Sequence, residues 1–566
     1  MPTESPAAPT PAPKQSILSR LLWLIAIVAT LYFCYFRQLG VVGLMGPDEP
    51  RYAWIARDMM ESGDWITPRL YGDPWFEKPP LYYWGAALSF KLFGISETSA
   101  RLPSAIAALF ATLALAWLAW RVYGSATARW LLVLLPSSAA MIGFSHSAAT
   151  DMPFSAMLTC AMIPAAVLLG IVPFAREDSE SNRDPNRDFV ANLSKSATFI
   201  AAALFGLFLG YAMLAKGPAA IILCGGAVIC WAAYTKRWKE TLRLLNPVAI
   251  AVFCIVALPW YVLCALRNHD FLRVFILEHN FKRFLTPEFQ HIQPFWYYAE
   301  IVLIALLPWT PALLWAVVTG IRSLTRGERL SAMSCFLLSW ALFCLVFFTI
   351  SRSKLPGYIL PAIPAIGLLL ARAITRFGPA RRWSFALTSL VPGIALAVLF
   401  FELFSHNDQI LKKAVAYTPA VELAIAAIGA ANILLAFLYL APRRNFAMIA
   451  AVVPVLFAMY MVDDALPFTP ISSQSARYLA DQIRADEIPP AKLRETGLKR
   501  ATLYGLNFYL HTDLRDLTSA PPRELYLITT GRITCDKMPA EVKCEDMWQR
   551  TADADGVALL HLTPTH

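Results

Sequence analysis

Charge is scarce in this chain, and so are the short motifs that mark most soluble enzymes. Of 566 residues, 16% are Asp, Glu, Lys or Arg and 57% are hydrophobic; an ordinary soluble domain is about a quarter charged. The sequence holds no G-x-G-x-x-G, Walker, H-E-x-x-H, C-x-x-C or nucleophile-elbow pattern. Cofactor-dependent redox chemistry and nucleotide hydrolysis therefore lack their usual carriers. No internal repeat of the kind that marks many transporters is present either.

What is present is a succession of apolar runs of about twenty residues, the length that spans hydrocarbon. Thirteen are expected, near 17–36, 97–120, 128–147, 152–173, 198–214, 218–235, 246–266, 296–319, 331–350, 358–374, 384–404, 419–440 and 445–462. The first is too long for a signal-peptide core and lacks a clear cleavage site, so it reads as a retained helix. Alternate loops carry the basic residues, among them Arg121 and Arg129, Lys236 to Arg243, Arg322 to Arg329, and Arg443 with Arg444. The positive-inside rule puts these loops and the N-terminus in the cytoplasm. The net charge of +10 is thereby explained without a nucleic-acid partner.

The expected fold is an all-α polytopic membrane domain of about thirteen transmembrane helices with a small C-terminal external α/β domain. Residues 1–16 form a cytoplasmic tail, 17–462 the membrane domain with its external loop 37–96, and 463–566 the external domain. Within 37–96, Leu81–Gly94 is apolar but short and is interrupted by Lys91, so it reads as a helix lying in the interface. After Asp48, Tyr52, Ile55, Ala56, Met59 and Met60 repeat at helical spacing and predict a second amphipathic helix. In the C-terminal region SSQSARYLADQIRADEI predicts a capped helix, and ATLYGL, ELYLITT and GVALLHL predict strands. Of ten cysteines, eight lie in apolar spans, where Cys behaves as a small hydrophobe. Cys535 and Cys544 lie in the external region and are expected to pair if that side is oxidising.

The chemistry concentrates at the external ends of the spans. Asp48 stands in GPDEPRYAWIARDMM just after the first span, and Asp151 in SHSAATDMPF between two later ones. Either could cap the helix that follows, with Pro50 and Pro153 tolerated in the first turns. Glu49 is a second acid where one would cap, and acids from two loops can converge on a cation or on developing positive charge. PWFEKPPLYYW adds Glu77 and Lys78: a solvated ion pair, or a lysine reaching a phosphate as a point charge. Lys216, in MLAKGPAA, sits between two spans joined by almost no loop, where ionisable groups are functional or snorkel to the interface. FILEHNFKRFL and SRSKLPGYILP bring His279, Lys282, Arg283, Arg352, Lys354 and Tyr358 outside against the charge trend. Such a cluster suits a lipid phosphate, or simply anionic headgroups.

The ordered set GPDEPRY, FEKPPLYYW, RLPSAIAALF, SHSAATDMPF, MLAKGPA and SKLPGYILPAIPA resembles the C-type integral-membrane glycosyltransferases over about residues 17–370. The nearest branch transfers aminoarabinose to lipid A and is related to protein O-mannosyltransferases. The resemblance implies a bacterial inner-membrane enzyme, working on the periplasmic side. It would move a sugar from a polyprenyl-phosphate donor to a lipid acceptor such as lipid A. Transfer of mannose to a protein or glycolipid hydroxyl is the alternative, and a lipid-linked sugar transporter is the more distant rival. The resemblance implies catalytic roles for Asp48, Asp151 and Lys78, and substrate contacts from Arg51, Tyr52, Lys216, Arg283 and Tyr358. It also implies a divalent ion (Zn, Mg or Mn) on Asp48, Glu77 and Asp151, and a monomer.

Overall fold

In the computed structural model the described residues are 17–172, 193–275, 292–376, 475–517, 524–530, 535, 542–550 and 556–564, with isolated positions between 386 and 436. Apart from those positions, the expected spans 384–404, 419–440 and 445–462 lie outside this set, as does Arg283. The helices are α1 (Ile17–Tyr35), α2 (Asp48–Ser62), α3 (Leu81–Phe93), α4 (Glu97–Tyr123), α5 (Ser125–Leu134), α6 (Ala139–Ser145), α7 (Asp151–Leu168), α8 (Lys195–Lys216), α9 (Ala219–Thr235), α10 (Pro247–Arg267), α11 (Tyr297–Ala305), α12 (Thr310–Thr325), α13 (Ala332–Ile350) and α14 (Ile363–Arg376). A 3-10 turn over Pro356–Ala362 leads into α14. Among the described residues seven helices, counting that turn with α14, are long and apolar enough to cross a membrane, and the bent pair α5–α6 makes an eighth.

Two expected spans are broken, both at proline. Pro136 separates α5 from α6, which meet at 61°, because proline cannot donate to the helix and restricts the residue before it. Hydroxyls add to the backbone bonds at the break. Ser137 Oγ donates to Val133 O at 2.6 Å and Ser138 Oγ to Leu135 O at 2.7 Å. The second break, between α11 and α12, holds Pro308, and there Leu307 O accepts from Ala139 N at 2.9 Å. Trp309 Nε1 donates to Ser137 Oγ at 2.9 Å, so each break satisfies the other.

Close helix packing rests on small residues, since lipid offers no hydrophobic drive between helices. Gly206 and Gly210, one turn apart on α8, face α10; a Cβ on Gly206 would lie 2.2 Å from Ala249 O. The opposite face of α10 presents Ile255, Leu258, Val262 and Leu266 as one exposed apolar stripe, the surface a helix offers to acyl chains.

Residues 37–96 fold as expected into two helices. α2 buries Tyr52, Ile55, Ala56 and Met59 and stops at Gly63, whose φ of 73° caps the helix in the left-handed region. A short hairpin, β1 (Arg69–Leu70) with β2 (Asp73–Pro74), turns the chain toward α3, which exposes Leu88, Leu92 and Phe93.

The C-terminal region contains α15 (Arg477–Ala485), β3 (Leu493–Thr496), α16 (Arg500–Leu510), β4 (Leu525–Thr530), β5 (Val542–Arg550) and β6 (Val557–Pro564). The strands form one sheet in the order β3-β4-β6-β5, with β3 parallel to β4 and the other pairs antiparallel. Leu479, Ile483 and Leu506 of the helices pack on Leu493, Ile528 and Leu559 of the sheet. ELYLITT and GVALLHL are strands, as predicted, whereas ATLYGL is helical and opens α16. Tertiary packing overrides its β propensity: Leu506 packs on α15, and Gly505 lets the two helices approach, its absent Cβ being 2.6 Å from that of Ala476. Cys535 and Cys544 form a disulfide.

Candidate active site

The acids sit where helices begin, and neither acts merely as a cap. Asp48 is the first residue of α2, where the N-cap Pro47 makes no side-chain cap. Its Oδ1 accepts from Arg51 Nη2 at 2.5 Å. The same Nη2 lies 3.0 Å from Glu77 Oε2, and Lys78 Nζ lies 3.8 Å from Glu77 Oε1. Asp48, Arg51, Glu77 and Lys78 thus form one charged group, with the Asp48 side chain 56% exposed and those of Arg51 and Glu77 about 10% and 9%. Burial alone would lower the pKa of Arg51, but Glu77 and Asp48 outweigh it and hold the guanidinium above its ordinary value. Tyr52 lies under that guanidinium, ring centre 5.1 Å from Cζ. Burial, then Glu77 and Asp48, raises the Tyr52 phenol well above its usual range, and Tyr83 behaves likewise. Both stay protonated and keep a proton to donate.

Asp151, first residue of α7, anchors a second group. Lys216 Nζ, at the end of α8, donates to Asp151 Oδ1 at 2.5 Å. The ammonium also lies 5.0 Å from the ring centre of Tyr358 and 5.6 Å from that of Phe154. Gly357 makes this approach possible, because a Cβ there would stand 2.8 Å from Asp151 Oδ1. Lys354 turns aside and donates to Gln293 O at 3.1 Å.

What ties the two groups together is Glu49, which the sequence flagged only as an extra acid. It is buried and fully engaged. Oε2 accepts from Met45 N at 2.8 Å and Arg101 Nη2 at 2.7 Å, while Oε1 accepts from Arg101 Nε at 3.1 Å and Ala148 N at 2.6 Å. Arg101 also donates to the carbonyls of Leu39, Val42 and Gly43. One carboxylate therefore fastens the start of α2 to the loop that delivers Asp151. Arg101 was visible only as a charge at the head of a span, in RLPSAIAALF.

The C-terminal region grips the segment before α2 and the head of α4. Tyr509 Oη accepts from Leu44 N at 2.7 Å and donates to Glu97 Oε1 at 3.0 Å. Arg477 reaches Glu97 Oε1 and Gly40 O at 3.1 Å and Val41 O at 2.9 Å. A cavity of about 490 Å³ adjoins Glu77, lined also by Trp75, Phe76, Asn268, His269 and Arg273.

The three acids expected to share a divalent ion are distributed otherwise. Asp48 and Glu77 meet at Arg51, while Asp151 faces Lys216. Among the described residues no group of three or more His, Cys, Asp or Glu is placed to hold a metal ion. This arrangement does not fit the ion, since a site of that kind needs converging oxygens.

Comparison with known proteins shows what the chain as a whole is similar to. The family described as Dolichyl-phosphate-mannose-protein mannosyltransferase matches residues 20–275. An undecaprenyl phosphate-alpha-4-amino-4-deoxy-L-arabinose arabinosyl transferase of Edwardsiella ictaluri is 33% identical over 353 residues, 62% of this chain and 59% of that one. The same-named protein of Aeromonas hydrophila is 30% identical over 389 residues, 67% of this chain and 66% of the relative. The chain thus spans about three fifths of the length of the first of these curated relatives. The crystal structure of ArnT from Cupriavidus metallidurans bound to undecaprenyl phosphate superposes with a TM-score of 0.75 at 22% identity, covering 95% of this chain and 98% of that one. Its apo form gives 0.73, also at 22% identity, over 96% and 98%. Sequence and fold together place the chain in the C-type family of membrane glycosyltransferases, alongside the aminoarabinose and protein mannosyl transferases.

Proposed function

We propose that the chain transfers aminoarabinose from an undecaprenyl-phosphate donor to a lipid acceptor such as lipid A, at the external face of the inner membrane. The observation that carries this is the pair of acid–cation groups, Asp48 with Arg51, Glu77 and Lys78, and Asp151 with Lys216, joined through Glu49. The relatives act on that donor by name, and the positive-inside pattern puts both groups outside. In this reading the C-terminal sheet and its two helices are a periplasmic α/β unit.

The reaction is displacement at the anomeric carbon. The bond from that carbon to the donor phosphate oxygen breaks and a bond to the acceptor oxygen forms. Positive charge grows on the sugar and negative charge on the departing phosphate. Lys78 and Arg283 are proposed to hold the phosphate, with Tyr358 and Lys216 beside it. The leaving group is already a weak base, so no general acid is needed. An acceptor phosphate is already ionised and needs no base, whereas an acceptor hydroxyl would give its proton to Asp48.

Transfer by the purified chain from undecaprenyl-phosphate aminoarabinose to lipid A, read by mass spectrometry, tests the reading. Lipid A masses identical with and without the gene would sink it. The divalent ion is tested separately. Chelation and metal add-back should leave the rate within about twofold if the cations named above supply the charge; loss on chelation and recovery with Zn, Mg or Mn would reinstate the ion.

A further inference from the structure

Buried polar atoms normally find partners, and those that do not call for a reason. Several gather around Arg51. Arg51 Nε, Trp75 Nε1 and Tyr83 Oη are buried with no hydrogen-bond partner, and beside them the Tyr71 phenol faces the Asn507 side chain. Tyr83 is 0% exposed and Asn507 1%. Each of these groups can donate. Aromatic planes stand among them: Arg51 Cζ lies 5.5 Å from the ring centre of Trp75 and 6.0 Å from that of Tyr504, and the rings of Tyr71 and Tyr504 are 6.1 Å apart. Asp48 and Glu77 supply acceptors on the same guanidinium.

Planes, donors and acceptors together suit one class of ligand. An apolar ligand would leave three donors unpaired, and a bare phosphate would meet two carboxylates. A sugar ring offers C–H faces to the aromatic planes and hydroxyls to donors and acceptors alike. The cavity of about 490 Å³ shares Trp75 and Glu77 with this group, so there is room for a ring beside it.

Two of the groups come from a distant part of the chain. Tyr504 and Asn507 belong to α16, which packs on α2 through contacts such as Arg57 Nη1 to Phe508 O at 3.4 Å. We propose that α16 of the C-terminal region, through Tyr504 and Asn507, completes a sugar-binding subsite beside Asp48 whose other wall is Tyr71, Trp75 and Tyr83 of the first external loop. This rests on the glycosyl-transfer reading above. The C-terminal region is then part of substrate recognition as well as a cover on the membrane domain. The ring it holds belongs either to the donor or to the acceptor.

Steady-state transfer by the full chain, with donor and acceptor varied in turn, separates these cases. Tyr504→Ala should raise KM for one sugar-bearing substrate about tenfold, with kcat within about threefold, and Tyr504→Phe should restore it. Trp75→Phe, which keeps a ring and removes the N–H, should raise KM for the same substrate. A rise confined to the donor assigns the donor sugar, and a rise confined to the acceptor assigns the acceptor sugar. Inhibition by undecaprenyl phosphate, which carries no sugar, should be unchanged in both variants; it also shows that they are folded. Unchanged KM for both substrates in Tyr504→Ala and Trp75→Phe overturns the inference while leaving the transfer reading intact. Weakened undecaprenyl phosphate inhibition overturns it too, because the residues would then serve the phosphate. Absence of transfer by the wild-type chain overturns both.

Discussion

At the scale of single residues the site is a set of carboxylates, each held by a cation. Asp48 is the exposed member, poised on Arg51, and Asp151 is drawn to Lys216. Replacing either acid by Asn removes charge while keeping shape. Asp48→Asn and Asp151→Asn should each lower transfer by more than about a hundredfold, the loss expected when a fixed charge placed against the developing charge of the reaction is removed. Melting temperature should hardly move. Activity within about tenfold of wild type in both variants would reduce the two acids to structural roles, because a lost helix cap costs only about 1 kcal/mol. Lys78 makes a sharper case. Its ammonium is 3.8 Å from Glu77 Oε1, near enough to be oriented and too far for a tight bond. Lys78→Ala, assayed with donor saturating, should lose turnover on the order of 10²-fold if the lysine steadies the leaving phosphate. A lysine that only attracts anionic lipid is worth about 1 kcal/mol, and near-normal turnover would place Lys78 in that class.

Elements meet at buried polar bolts, and the Glu49–Arg101 pair is the principal one. It joins the start of α2, the segment 39–45, the head of α4 and the loop before α7. Removing one partner strands a buried charge and costs about 3–5 kcal/mol, whereas removing both can cost less. Glu49→Gln and Arg101→Met should each lower the melting temperature in detergent. The double variant should recover part of the loss, and strictly additive losses would show that the two residues act separately. Activity should fall with stability in these variants, since the pair sets the placement of both acids without touching substrate.

For the whole molecule the question is which side the C-terminal region faces. Cys535 and Cys544 close a short loop, and a disulfide of that length stabilises by roughly 2–3 kcal/mol where it can persist. Such bonds persist in oxidising compartments. Chain purified without reductant should therefore show no free thiol at either position by mass spectrometry, and reduction should loosen the sheet region alone. Two free thiols would count against the bond and against an external C-terminal region. The contacts of Arg477 with Gly40 and Val41 and of Tyr509 with Leu44 tie that region to the segment before α2, so its side is also the side of the site.

Local pattern determined much of this protein. Apolar runs of spanning length located the helices, because hydrocarbon demands internally bonded backbone. Helical spacing after Asp48 located α2, and a short apolar stretch broken by Lys91 located α3. Polar residues at the span ends pointed to Lys78, Lys216 and Tyr358: a lysine beside an acid, a lysine between two spans, and a tyrosine in a basic loop that defied the positive-inside trend. Other features depended on partners far along the chain. Glu49 with Arg101, Asp151 with Lys216, and Arg51 with Tyr504 join positions that share no local signal. ATLYGL reads as a strand by propensity and is a helix because its apolar residues pack on α15 and the sheet. The expected metal triad shows the same limit. Three acids on one side of the membrane suggest a shared ion, but which cation each one faces is decided by the helices that deliver Arg51 and Lys216. Sequence determines where charge can be afforded; the packing of distant elements decides what each charge meets.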